Sequence, residues 1–483
     1  MKHQSITMQF DFKKKDRLET LGLVIEKLET YYNATKSLKT NPELNIDAIR
    51  GLLLNEELEY GTQPEKAIDH IIYGLETYAV HTPHPKYFGL FNPRSNFAGI
   101  LADLIAATYN PQLAGWSHAP FAVEVEDLLI REFAAKFGYK SEQADGVFKS
   151  GGAEANLTAL LCALNHNYPN LFEEGLIGMD KKPVIFCSKE AHHSIQKAVK
   201  IVGLGTKLIK SISITDESKL DTDILEQELK KLDYSVYAPL MVIGTAGTTG
   251  TGTIDDLHRL STICKKYNMW FHVDAAYGGG AILSSDLKPY LSGIEKSDSI
   301  TFDAHKWMSV PMGTSIFLTQ HHDILEKTFG ISTPYMPKDD DGLKVTQPFT
   351  RSIQWSRRFI GLKVYLSLLI YGWKGYEQTI NHQAGMGRYL KRRLREEGWS
   401  VINDTVIPVV CFTKEEFKND MHFTQHIIDN ILKNGTSWLS LYPIDGISTL
   451  RACITNYNTT EVEIEELITE LNQEAASYMA AVR

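Results

Sequence analysis

Cysteine is sparse. The five cysteines (Cys162, Cys187, Cys264, Cys411 and Cys453) are scattered through 483 residues, and no two form a C-x-x-C pair. This argues against a disulfide framework or a structural zinc site and fits reduced thiols. Cys162 and Cys187 fall in apolar segments, where a thiol serves as a small core residue. Long apolar runs are missing: nothing approaches the roughly 20 residues that span a bilayer. The densest stretch, Leu366-Ser-Leu-Leu-Ile-Tyr371, reads as part of a buried helix. The first residues, Met-Lys-His-Gln-Ser-Ile-Thr, lack the apolar core of a signal peptide. An excess of positive charge is absent as well. A net charge of −9 argues against a general nucleic-acid binder. Together these absences predict a cytoplasmic protein without membrane or nucleic-acid partners.

What is present is the composition of a soluble globular protein, 43% hydrophobic and 23% charged. The length calls for two or three domains. Residues 15 to about 80 read as mostly helical. The segment His84–Pro93, bracketed by prolines and rich in aromatics, does not. Val125, Leu129 and Phe133 continue a helical stripe through Phe121–Phe137, ended by Gly138. From about residue 146 short apolar strands alternate with helices. The strands are read at 146–149, 183–187, 240–244, 269–273, 299–302 and 314–318. Such alternation predicts an α/β fold, a mostly parallel central sheet with helices on both faces. Ligands of these sheets bind beyond the carboxyl ends of the strands. The polar stretch Pro334–Pro348, with Asp339–Asp341, reads as a loop of the kind that serves as a lid. A helix from Arg358 to about Tyr371 follows. Beyond Gly375 a small α+β domain is predicted, with strands near 406–412 and 449–454.

The unusual residues cluster at the strand ends. One strand ends in His272-Val-Asp274-Ala-Ala-Tyr-Gly-Gly-Gly280, and another is followed by Asp303-Ala-His-Lys306-Trp. An aspartate and a lysine so placed suit pyridoxal phosphate: the lysine to form a Schiff base with the cofactor aldehyde, the aspartate to pair with its ring nitrogen. Ser150-Gly-Gly-Ala-Glu-Ala-Asn156 lies at a strand-to-helix junction, where glycines and free N–H groups suit a phosphate; a tight turn without a ligand is the competing reading. Gly244–Gly252 is a second Gly/Thr loop, with neither a GxGxxG fingerprint nor a Walker lysine. His192-His193 follows a further strand and could stack on the pyridine face. Adjacent histidines rarely reach one ion, and no spaced third ligand accompanies them, so no metal is expected.

The ordered set Ser150-Gly-Gly-Ala-Glu-Ala, Ala191-His192, Gly247-Thr-Thr, His272-Val-Asp-Ala-Ala-Tyr-Gly-Gly, Ala304-His-Lys306-Trp and Leu450-Arg resembles the group II pyridoxal-phosphate-dependent amino-acid decarboxylases. The resemblance covers roughly residues 70 to 475. It implies the fold-type-I architecture of PLP-dependent transferases: an N-terminal helical, dimer-forming segment (1–85), a large cofactor domain (86–375) and a small C-terminal α+β domain (376–483). It also implies a homodimer with active sites at the interface. By motif, Lys306 would carry pyridoxal 5'-phosphate, Asp274 pair with the ring nitrogen and His192 stack on the ring. Gly152, Ala153 and His305 would hold the phosphate. Ala276 would pack against the ring, and Thr249 would support the His192 side. Tyr335 falls on the loop tyrosine that returns a proton to the substrate carbon, which favours simple decarboxylation over oxidation to an aldehyde.

Substrate contacts implied by the resemblance are Phe91, Asn92 and, from the partner subunit, Gln112. Arg357 is a further candidate for a substrate carboxylate, against the alternative of a surface residue at a helix start. Phe91 and the run after Arg357 look closer to the aromatic and diaminobutyrate branches. Asn110-Pro-Gln112 looks closer to the glutamate and cysteine-sulfinate branch. The balance leans slightly to an aromatic L-amino acid. Acidic or polar substrates, and other fold-type-I reactions such as transamination or carbon–carbon lysis, are the alternatives.

Overall fold

The computed structural model describes residues 10, 12–54, 56, 58–140, 142–331 and 345–482. Its first three helices, α1 (Lys14–Ala34), α2 (Ile46–Leu54) and α3 (Pro64–Tyr78), contain no buried residue. On α1, Leu18, Leu21, Ile25 and Leu28 recur at helical spacing yet remain exposed. Helices α4 (Phe97–Tyr109) and α5 (Pro120–Phe137) lead into the sheet. As the sequence predicts, α5 stops at Gly138, whose φ of 90° lets its N–H reach the carbonyls of Ala134 and Ala135.

Seven strands follow: β1 (Asp145–Lys149), β2 (Lys182–Ser188), β3 (Ile209–Ile212), β4 (Tyr237–Thr245), β5 (Trp270–Asp274), β6 (Ser299–Phe302) and β7 (Ser315–Thr319). They form one sheet in the order β1-β7-β6-β5-β4-β2-β3. From β6 to β3 every pairing is parallel, and β7 runs antiparallel to both of its neighbours. The connecting helices are α6 (Gly152–Asn167), α7 (Leu171–Glu174), α8 (Ser194–Ile201), α9 (Thr222–Lys231), α10 (Leu257–Tyr267), α11 (Ala304–Trp307) and α12 (Ile324–Phe329). Successive strand residues point to opposite faces. Phe148, Phe186, Val242 and Phe271 enter one core, while Val147, Ile185, Met241 and Trp270 enter another. Both faces are therefore covered, as a parallel sheet requires. Strand β3 was not expected. Its Lys210 and Ser211 are exposed, so this edge strand lacks the apolar run that marks the others.

Helix α13 (Leu362–Glu396) breaks from helical geometry at Gly372, with φ of 63°, and then continues. The sequence predicts a helix to about Tyr371 and another beyond Gly375, and the kink at Gly372 falls between the two. Next come β8 (Ser400–Val401), β9 (Val409–Thr413), α14 (Met421–Asn434), β10 (Ser440–Leu441), β11 (Leu450–Cys453) and α15 (Glu461–Val482). These strands form a separate antiparallel sheet, in the order β10-β11-β9-β8, over a third core with Phe412, Phe423, Ile427 and Leu467. Phe88 belongs to this core: its N–H donates to Trp438 O (2.9 Å), and its carbonyl accepts from Cys453 N (2.9 Å). The aromatic segment ahead of the large sheet is thus stitched to the C-terminal one, which brings Phe91 to the sheet's carboxyl edge.

Candidate active site

A pocket of about 310 Å³ opens at the carboxyl ends of the parallel strands. Eight of the residues singled out in the sequence line it: Phe91, Gly152, Ala153, His192, Thr249, Asp274, Ala276 and Lys306. A larger cleft of about 590 Å³ lies at the other end of β5 and contains none of them.

Asp274 is the last residue of β5 and is buried. Its Oδ2 accepts from Asn156 Nδ2 (2.8 Å) and its Oδ1 from the Ala276 N–H (3.2 Å). Lys306 lies on α11, just past β6, with Nζ 3.0 Å from Asp303 Oδ2. The Asp303 side chain is only 2% exposed, and its Oδ1 has no hydrogen-bond partner among the described residues. His305 does not line the pocket. Its Nδ1 is 2.8 Å from Thr314 O and its Nε2 3.7 Å from Asp303 Oδ2. Burial lowers its pKa, against the raising effect of Asp303.

His192 stands between β2 and α8, still reached by solvent in the single chain. Its Nδ1 accepts from the Ser194 N–H (3.2 Å), which in a neutral ring puts the proton on Nε2. Partial desolvation lowers its pKa; Asp274 opposes this and Lys306 adds to it.

The start of α6 forms another wall. No side chain caps this helix, so its first N–H groups are free to meet an anion. A Cβ on Gly152 would come 2.9 Å from Asp303 Oδ2, so the backbone is open here only because the residue is glycine. Gly247, with φ of +93°, packs so closely on the Gly278–Gly280 run that a Cβ would lie 2.9 Å from Gly278 N.

Phe91 closes the pocket. It stacks on Tyr277 at 3.7 Å between ring centroids, and Tyr277 stacks on Trp307 at 5.2 Å. The Lys306 amine is 5.9 Å from the Phe91 ring centroid, and the Arg451 guanidinium carbon is 5.1 Å from it. Arg451 is buried, with Nε on Gly250 O (3.0 Å) and Nη2 unpartnered. Sequence reasoning used Leu450-Arg only as a family motif and gave Arg451 no place in the site.

The other substrate candidates lie elsewhere. Asn92 turns away, its Oδ1 accepting from Tyr87 Oη (2.9 Å). Gln112 Oε1 accepts from the Arg357 N–H (2.9 Å). Arg357 is neither a surface residue nor in the pocket. Its buried guanidinium pairs with Glu126 Oε2 (2.9 Å) and donates to Phe148 O (3.2 Å). Tyr335, and residues 334–344 of the expected lid, lie outside the described residues.

The site fits pyridoxal phosphate. It offers an amine, a buried carboxylate held by two donors, an imidazole at its rim and a helix start for the phosphate.

Residues 51–415 match the model of the pyridoxal-dependent decarboxylase conserved domain. An aromatic-L-amino-acid decarboxylase of Bacillus atrophaeus is 26% identical over 460 residues, which are 94% of this chain and 93% of that protein. Among solved structures, mouse CSAD in its apo form aligns with a TM-score of 0.88 at 24% identity, over 95% of this chain and 99% of its own. Oryza sativa TDC with PLP and tryptamine aligns with a TM-score of 0.91 at 20% identity, over 98% of this chain and 100% of its own. The chain belongs to the pyridoxal-dependent decarboxylase family. It is a carboxy-lyase of amino acids that uses pyridoxal 5'-phosphate.

Proposed function

We propose that this decarboxylase holds its cofactor between Lys306 and Asp274 and converts an aromatic L-amino acid to its amine and carbon dioxide. The observation that carries the reading is the convergence of Lys306, Asp274, His192 and the start of α6 in one pocket. When bound, the cofactor supplies the sink for the electron pair left at Cα as carbon dioxide departs. Lys306 would provide the amine that holds the cofactor. Asp274, held by Asn156 and the Ala276 N–H, would face the ring nitrogen. His192, with Thr249 on its side, would cover one ring face, and Ala276 would pack on the other. Gly152 and Ala153, at the start of α6, would take the phosphate; His305 lies outside the pocket lining. The Tyr335 hydroxyl, or His192 Nε2, returns a proton to Cα.

The Phe91–Tyr277 stack supports an aromatic substrate. An acidic substrate would need a cation in the pocket. Arg357 is engaged by Glu126, and Arg451 lies against the Phe91 ring without lining the cavity. Of the four substrate candidates, Phe91 alone lines the pocket within one chain; Gln112 is assigned to the partner's site.

The functional unit in this reading is a homodimer. Its support is the apolar surface left open on α1 and α4 (Leu18, Leu21, Ile25, Leu28, Phe97, Leu104, Tyr109) and the solvent still reaching His192 and Thr249. We place the divisions near residues 85 and 375, the second supported by the break at Gly372. Five buried, unpaired cysteines support a reducing, cytoplasmic setting. The test is carbon dioxide release from purified protein given aromatic, acidic and diamino acids in turn. Release from the aromatic set with the matching amine supports the reading. Release from glutamate or cysteine sulfinate alone overturns the substrate assignment. An amino-acceptor requirement without carbon dioxide would mean transamination.

A further inference from the structure

Behind Asp274 lies a buried chain of polar side chains drawn from α6, β5 and β6. Trp270 Nε1 donates to Ser299 Oγ (2.8 Å). Ser299 Oγ is 2.8 Å from His272 Nδ1, and His272 Nε2 is 3.0 Å from Asn156 Oδ1. Asn156 Nδ2 donates to Asp274 Oδ2 (2.8 Å) and to Ser194 Oγ (2.9 Å). Thr301 Oγ1 donates to the same Asn156 Oδ1 (2.8 Å).

The carboxylate end fixes the direction of the bonds, because a carboxylate accepts and a neutral imidazole has one N–H. Asn156 Nδ2 donates to Asp274 Oδ2, which leaves Asn156 Oδ1 to accept from His272 Nε2; His272 Nδ1 then accepts from the Ser299 hydroxyl, which itself accepts from Trp270 Nε1. A neutral imidazole that accepts at Nδ1 carries its hydrogen on Nε2 and gives it to Asn156 Oδ1. The Asn156 amide is thereby held with its NH2 toward Asp274. A flipped amide would set oxygen against carboxylate and two donors against Thr301 and His272. His272 is fully buried, and burial pushes its pKa down to about 4, so the neutral form persists at physiological pH.

We infer that Trp270, Ser299, His272 and Asn156 act as a one-way positioning chain that orients Asp274 toward the pocket, with neutral His272 as its pivot. The inference rests on the proposed role of Asp274 as the cofactor's partner. None of the four is a catalytic residue in this account. They act through Asp274.

Two measurements test it on the holoenzyme. The first is the ¹⁵N NMR spectrum of histidine-labelled protein at neutral pH, with the His272 signals assigned from His272→Gln. The chain predicts the Nε2–H tautomer; the Nδ1–H tautomer or an imidazolium would overturn it. The second is cofactor dissociation. Losing one link of a buried chain should weaken binding about tenfold in Ser299→Ala and in His272→Phe. His272→Gln, with an amide N–H near the place of Nε2, should recover most of the loss. In an Asp274→Ala background the same substitutions should add nothing. Equal losses in that background would mean packing only and overturn the chain. Should His272→Phe fail to fold, the small change Ser299→Ala carries the cycle. If Asp274→Ala loosens the cofactor while Ser299→Ala and His272→Phe do not, the chain alone falls. If Asp274→Ala leaves cofactor binding unchanged, the proposed role of Asp274 falls, and the chain with it.

Discussion

The Lys306 amine lies 3.0 Å from Oδ2 of Asp303, a carboxylate that is almost wholly buried. One strand end thus supplies both the amine proposed to hold the cofactor and the anion beside it. Removing the cation leaves the acid without a charged partner, which is costly inside a protein. Cofactor-free Lys306→Ala should lose about 1–3 kcal/mol of stability. Adding Asp303→Asn should recover part of it. Urea unfolding of the cofactor-free variants measures this, and an unchanged midpoint in Lys306→Ala would contradict the pairing.

Asp274→Asn keeps the shape of the side chain and removes its charge. If Asp274 stabilises the electron sink, kcat should fall about a hundredfold or more, the scale of losing one preorganised electrostatic group. Steady-state kinetics at saturating cofactor check this. A loss confined to KM would argue against the role.

Arg357 was a candidate for a substrate carboxylate, yet its side chain is 1% exposed and paired with Glu126. Arg357→Ala should therefore act on folding, by about 3–5 kcal/mol, since a buried pair is broken from one side. Guanidinium unfolding against the wild type is the measurement. Wild-type stability with a raised KM would return Arg357 to the substrate.

His84 is buried, and its Nδ1 accepts from the Lys86 N–H (2.9 Å). Burial lowers its pKa to about 4, below the ordinary value near 6.5. The unfolded chain then takes up a proton that the folded chain refuses between those values. The contribution of His84 is complete above about pH 6.5 and is lost as pH falls toward about 4, by up to about 3 kcal/mol. His84→Asn keeps an acceptor near the Lys86 N–H and removes the titration. Its stability should fall less steeply than the wild type's between pH 7 and 4. Parallel curves would contradict the assignment.

The strand ends were legible because apolar runs stop there and reactive residues begin: Asp274 and Lys306 needed only the α/β pattern. Gly138 was legible as a stop because a left-handed cap asks for glycine. The helices on either side of Gly372 were legible from their apolar spacing, and the kink falls between them. Strand β3 was hidden because an exposed edge strand carries lysine and serine. The chain behind Asp274 was unreadable because Asn156, His272 and Ser299 come from three elements and meet only when the sheet is assembled. Asn92 and Arg357 misled for a related reason: their side chains are claimed by Tyr87 and Glu126, neither adjacent in sequence.

The central claim is that Lys306 carries the cofactor. Reducing the holoenzyme with sodium borohydride fixes the cofactor to whichever lysine holds it, and peptide mass mapping then locates the adduct. The account predicts a single adduct on Lys306, absent from Lys306→Ala. An adduct on another lysine, or an undiminished one in Lys306→Ala, would contradict it.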